Sequence, residues 1–360
     1  MTFLHATNAV GATTHTWTGA GSNGYWSRPE NWLNNTPPPA NGTVNLIFPT
    51  GKPRKVSTND IAGLIVTSLQ ASDYGMSFHG TGNGTPLRLN GLVDINSGSI
   101  QFTGSLTLRL NGSTTVSLGT AVVGLNTYST STVEFGGKIT GPGGLTISGS
   151  SGYGVGNGGL ARFTAHGAND YTGSTVFEDD AQMELGNYSY APVPDSFYLV
   201  IVGTTSVPTA LTIRYGADVE LKRNNQIGNA ASVTVLQNSR LDLSRFADTI
   251  GSFTCKGNLE TEIYSASSYG RLTINGTIAI TSHSEPDWSQ FSDDQLRVSR
   301  NPNYTPSANT TFTLLSNDST DAISGEFYGW PENEAANLGG VIFRLRYSGG
   351  TGNDLTLKNP

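Results

Sequence analysis

The sequence predicts an all-β chain of short strands stacked on copies of themselves, and three observations carry that prediction. The first is a period of two. Runs such as the one holding Leu145 and Ile147 place apolar residues at alternate positions and are bounded by Gly-Gly or Asn-Asp pairs, the marks of a strand between turns. Runs this short cannot bury a face alone, so they must stack. The second is a repeat. Leu87-Arg88-Leu89-Asn90-Gly91 recurs 21 positions later as Leu108-Arg109-Leu110-Asn111-Gly112, and Leu272-Thr273-Ile274-Asn275-Gly276 echoes it. A fixed offset of about twenty residues suits one coil of a solenoid, with Leu89 under Leu110 in the interior and asparagine over asparagine at the turn. The third is composition. Charged residues make up only 13% of the chain against 45 glycines, which is short of the Glu, Lys, Arg and Ala that amphipathic helices need. Asn-Gly also marks two-residue hairpins, so an antiparallel sandwich stands beside the solenoid at this point.

Taken in order, residues 1–50 read as an N-terminal arm and a tryptophan-rich cap. Trp17, Trp26 and Trp32 crowd into sixteen positions, where large aromatics suit the plug that a growing stack needs at its apolar end. The rival reading of the three is sugar stacking on exposed rings. Residues 51–280 read as the coils, including the runs around Leu145 and Ile147, around Phe163, and around Val176 and Phe177. Cys255, the single cysteine, sits in the strand-like run GSFTCKG and reads as a small core residue. Residues 281–310 form a loop or insertion, and residues 311–360 the last coils and a closing cap.

The stretch from Gly141 to Leu185 resembles the autotransporter-associated β-strand repeat of exported bacterial proteins. The matching residues are Gly141, Gly143, Gly144, Leu145, Gly167, Asn169, Tyr171, Thr172, Gly173 and Leu185. The Trp-Thr-Gly opening at Trp17 is similar to the start of many such proteins. Gln226-Ile227-Gly228-Asn229-Ala230 and Leu241-Asp242-Leu243 stand in the family's order, and the markers Ser324 to Phe327, Trp330-Pro331-Glu332 and Tyr347 resemble its closing segment. The resemblance implies a single-stranded, right-handed parallel β-helix with an aromatic N-terminal cap and a C-terminal strand cap. It also implies a passenger-type protein, extracellular or at the cell surface. The start MTFLHATNAVGATT lacks the basic and apolar regions of an intact signal peptide, and the β-barrel that follows a complete passenger is not read before Pro360.

Charge and motif exclude several classes. The net charge of −7 is spread without long runs, so no nucleic-acid partner is expected, and no run of 18 apolar residues offers a transmembrane helix. The five histidines show no zinc spacing, and no G-x-S-x-G elbow is found. The tail GGTGNDLTL nearly matches a calcium-binding nonapeptide, with Asp354 as its carboxylate. The motif occurs once, however, and puts Thr356 where a large apolar residue belongs. A glycine turn before a last strand is the plainer reading, so no cofactor is expected.

Chemistry on a polysaccharide would call for paired carboxylates. Asp179 and Asp180, beside Glu178, and the loop acids Asp287, Asp293 and Asp294 are the candidates. Adjacent acids after a strand more often form a solvated turn. The sequence therefore reads as a non-catalytic structural or adhesive protein that contacts glycans, cell-surface or matrix components, or copies of itself. The alternatives are a carbohydrate-active enzyme, a polysaccharide lyase or glycoside hydrolase working in a groove on the face, and a trimer like a viral tail fibre.

Overall fold

Burial alternates along the strands as their sequence does. In Thr43–Phe48 the side chains of Val44, Leu46 and Phe48 point inward, and in Leu145–Gly149 those of Leu145 and Ile147 do. In Thr175–Glu178 the inward pair is Thr175 and Phe177. Val176 is only half-buried, because neighbours on a strand face opposite sides. The computed structural model describes the chain outside residues 1–10, 74, 82–85, 96–98, 104–105, 107, 111–113, 119, 125–126, 131, 150–159, 165–167, 179–181, 186–204, 283–294 and 318–320. The described residues are all-β apart from two short 3₁₀ turns, Pro29–Asn31 and Leu33–Asn35, and among them no helix is long and apolar enough to cross a membrane.

Hydrogen bonds gather the strands into three large sheets. From Thr43–Phe48 to Arg240–Asp242 the chain passes back and forth between a 13-stranded and a 10-stranded sheet, with the antiparallel pair Thr120–Gly124 and Thr127–Thr130 set between two passes. From Ala247–Ile250 a third, 6-stranded sheet takes one strand in each cycle. Pairing within the two larger sheets is parallel. Leu87, Arg88 and Leu89 lie beside Leu108, Arg109 and Leu110, and Leu89 and Leu110 are 3% and 1% exposed, as the repeat predicts. A sandwich of hairpins is not how these two sheets are made.

Asn90-Gly91 departs from expectation. The strand Leu87–Ile95 runs straight through it, and the two residues together oppose Thr67 alone, because Leu89 pairs with Val66 and Leu92 with Ser68. The pair is a bulge that bends the strand, not a turn. A Cβ on Gly91 would stand 2.1 Å from the Thr67 carbonyl oxygen, so glycine is required there.

Register stacks like on like. Phe78, Phe102, Phe135 and Phe163 are successive partners in the 10-stranded sheet, with ring centroids 5.3, 5.7 and 5.0 Å apart. Burying each ring contributes roughly 1.5–3 kcal/mol. Beside the N-terminal end of this column Trp17, Trp26 and Trp32 pack on one another and on Phe48, with Trp26 also against Phe78. At the other end the third sheet turns antiparallel through Asp354–Lys358, Val341–Gly349 and Ala335–Leu338. The edge strand Leu296–Arg300 is not left open. Its Arg300 guanidinium donates to the carbonyls of Leu338 and Gly339 at 2.8 and 2.7 Å.

Candidate functional site

The outer face of the 10-stranded sheet carries a linked group of charged side chains. On Asp218–Leu221, Arg240–Asp242 and Asn258–Ile263 the residues Val219, Leu221, Leu241 and Leu259 fill the core, so the alternate positions point away from it. Parallel register then sets Asp218 beside Arg240, and runs Glu220, Asp242, Glu260 and Arg297 in one row across neighbouring strands. Neighbouring strands lie about 4.8 Å apart, so Asp242 stands one strand from Glu220 on one side and one strand from Glu260 on the other.

Each carboxylate is held differently. Arg240 donates through Nε and Nη2 to Asp218 at 3.3 and 3.1 Å and through Nη1 to Glu260 at 2.6 Å. Burial lowers the pKa of this guanidinium, but the two carboxylates outweigh it and the group stays charged. Glu220 takes Lys222 at 2.6 Å and the Ser244 hydroxyl at 3.1 Å. Asp242 accepts only the Ser244 amide at 2.6 Å among the bonds described for it. Burial pushes its carboxyl up to about 6, opposed by that amide and by Arg240 and reinforced by Glu260 and Glu220. Just past the end of the third strand lies Tyr264, 41% exposed, with the Arg245 guanidinium 4.5 Å from its ring centre. A row of acids can hydrogen-bond a polyol chain, and a carboxyl raised toward neutrality among other carboxyls is the basis of acid and base catalysis.

Asp248 shows the contrasting, structural use of a buried acid. Its carboxylate accepts the amides of Gln226, Ile227 and Thr249 at 2.7, 3.0 and 2.8 Å and fastens one pass of the chain to the next, and burial pushes it up to about 7.

Of the residues singled out in the sequence, Asp179, Asp180, Asp287, Asp293 and Asp294 lie outside the described residues. Trp17, Trp26 and Trp32 are 0%, 0% and 1% exposed, which corrects the sugar-stacking reading: stacking needs an open ring face and all three are closed. Asp354 is buried and accepts the amides of Asn317 and Thr351 at 2.8 and 3.4 Å, so its oxygens hold a glycine turn together. No group of three or more His, Cys, Asp or Glu among the described residues is arranged to hold a metal ion. The Cys255 thiol is buried, donates to the Gly257 carbonyl at 3.3 Å, and is pushed by burial up to about 12. Sequence reasoning missed Glu220, Asp242 and Glu260. Leu241-Asp242-Leu243 stood out as a strand, but only the register shows which acids flank it.

No known protein family, curated protein or solved structure matches the chain.

Proposed function

We propose that the chain is a right-handed parallel β-helix of the kind built from the autotransporter-associated repeat, and that it serves outside the cell as a rigid, non-catalytic scaffold. In this reading the chain contacts glycans through the face holding Glu220, Asp242, Glu260 and Tyr264. The observation that carries it is the register: successive passes superpose like residues, 21 positions apart at Leu89 and Leu110 and 24, 33 and 28 apart along the phenylalanine column.

The residues behind the resemblance support the same reading, because they join one pass to the next. Asn169 accepts the Ile139 amide at 2.9 Å on one side and donates to the Ser206 carbonyl at 2.8 Å on the other. Tyr171 is buried against Thr175, and a Cβ on Gly173 would fall 2.3 Å from the Gly144 nitrogen. In the closing segment Tyr347 Oη accepts the Phe327 amide at 2.7 Å and donates to the Trp330 carbonyl at 2.9 Å, while its own amide reaches Glu332 at 2.6 Å.

The test is incubation with a panel of plant and microbial polysaccharides, measuring both retention on the polymer and release of reducing ends or unsaturated products. Retention without release is expected, and release at a catalytic rate overturns the non-catalytic reading. One observation favours that second outcome: the Asp242 carboxyl, near pH 6, stands a single strand from Glu220 and Glu260. Retaining glycoside hydrolases hold their two carboxyls about 5–5.5 Å apart. Asp242 would protonate the leaving oxygen as a neighbouring glutamate attacks the anomeric carbon, and water would then hydrolyse the resulting glycosyl ester, so Asp242→Asn would abolish any release while Glu220 and Glu260 keep part of the retention.

A further inference from the structure

The outer face of the antiparallel strands at the C-terminal end has the opposite character. Phe343 and Leu345 of Val341–Gly349 point into the core, which leaves Arg344 and Arg346 on the outside, and Lys358 of Asp354–Lys358 is the direct partner of Arg344. These three cations surround a cavity of about 450 Å³ whose lining includes Asn309, Thr311 and Thr356 and no acidic side chain. The floor is recessed, since Thr356 on the same face is only 2% exposed and packs beneath Gly349.

Like charges directly opposite on paired strands destabilise the pair. The Arg344–Lys358 rung therefore carries a penalty that a bound anion would relieve. The partners present do little to remove it. Glu332 reaches Arg346 at 3.6 Å in a pair that is half-exposed, and Arg344 spends one donor on the Asn333 carbonyl at 3.3 Å. In a chain of net charge −7 this pocket gathers three cationic side chains and no acidic side chain, with Pro360 at its margin.

We infer that this pocket binds an anionic sugar, the carboxylate of a uronate unit engaging Arg344, Arg346 and Lys358 while its hydroxyls meet Thr311 and Asn309. The guanidinium forks fit a planar carboxylate, and the cavity has the size of one or two sugar rings. The inference stands apart from the acidic face and does not rest on the function proposed for it.

The test is calorimetric titration of the full chain with trigalacturonate, with maltotriose as the neutral control and inorganic phosphate as the bare anion. Trigalacturonate is expected to bind, to bind less tightly as salt is raised, and to lose about tenfold or more in affinity in the double variant Arg344→Gln, Lys358→Gln. The unliganded variant should melt at or above the wild-type temperature, because it has lost a repulsion. Absence of trigalacturonate binding, undiminished binding in the variant, or equal binding of maltotriose overturns the site. Phosphate binding as tight as that of trigalacturonate overturns its assignment to a sugar.

Discussion

At the scale of single residues, Asp242 links the sheet to its chemistry. Its carboxyl lies near 6 in the folded chain against an ordinary 3.8, so the folded state holds this proton more tightly than the unfolded one. The stabilisation from that proton is complete below about pH 4 and is lost as pH rises through about 6. The melting temperature of the wild type relative to Asp242→Asn should accordingly rise as pH is lowered across this window, which paired calorimetric scans would record. A constant difference would mean that Asp242 is no more buried than a surface acid. The direction matters for function too. A carboxyl that keeps its proton into the mildly acidic range is a hydrogen-bond donor to a sugar hydroxyl, whereas Glu220 and Glu260 beside it are acceptors held by Lys222 and Arg240.

At the scale of elements, register decides which glycines are replaceable. Gly173 lies against the backbone of Gly143 and Gly144, so a side chain there meets main-chain atoms that cannot swing aside. Gly173→Ala should cost about 2–3 kcal/mol in urea unfolding, as overpacking of a tight site does, whereas Gly75→Ala has open space and only its positive φ of 74° to strain it. Equal losses at the two positions would argue against the close stacking of these passes. The same dependence on register explains what the sequence made legible. The strands could be read because alternation is local, and the repeat at Leu87 and Leu108 could be read because its five residues recur together. The acidic row could not. Glu220 and Asp242 are 22 positions apart, and Asp242 and Glu260 only 18, so no single offset exposes them. The role of Asn90-Gly91 was hidden for a different reason: the dipeptide that makes a hairpin turn also makes a bulge, and only the partner strand with Thr67 distinguishes them. The tryptophans were legible as a clustered group from their density alone, and the structure buries all three in one aromatic cluster with Phe48.

At the scale of the molecule, the pairing pattern governs how the chain unfolds. Each strand of the two large sheets pairs with its immediate neighbours, so the buried core, continuous from Trp17 to Leu357, is joined through a series of neighbouring interfaces. The cost of a cavity then depends on where it falls. Trp26→Ala and Phe135→Ala each remove a buried ring worth about 3–5 kcal/mol, but Trp26 sits in the N-terminal aromatic cluster and Phe135 between Phe102 and Phe163 in mid-column. Loss of Trp26 weakens an end. It should shift the melting temperature and expose amides near residues 17–48 to hydrogen exchange while those of the 240–263 strands keep their protection. Loss of Phe135 weakens a joint, so the passes on its two sides lose their coupling and urea unfolding should split into two steps. Hydrogen exchange read by mass spectrometry at intermediate urea would assign the steps to the N-terminal and C-terminal parts. A single transition for Phe135→Ala, with protection lost everywhere at once, would mean that the sheets unfold as one cooperative body and that the stack does not transmit stability from pass to pass.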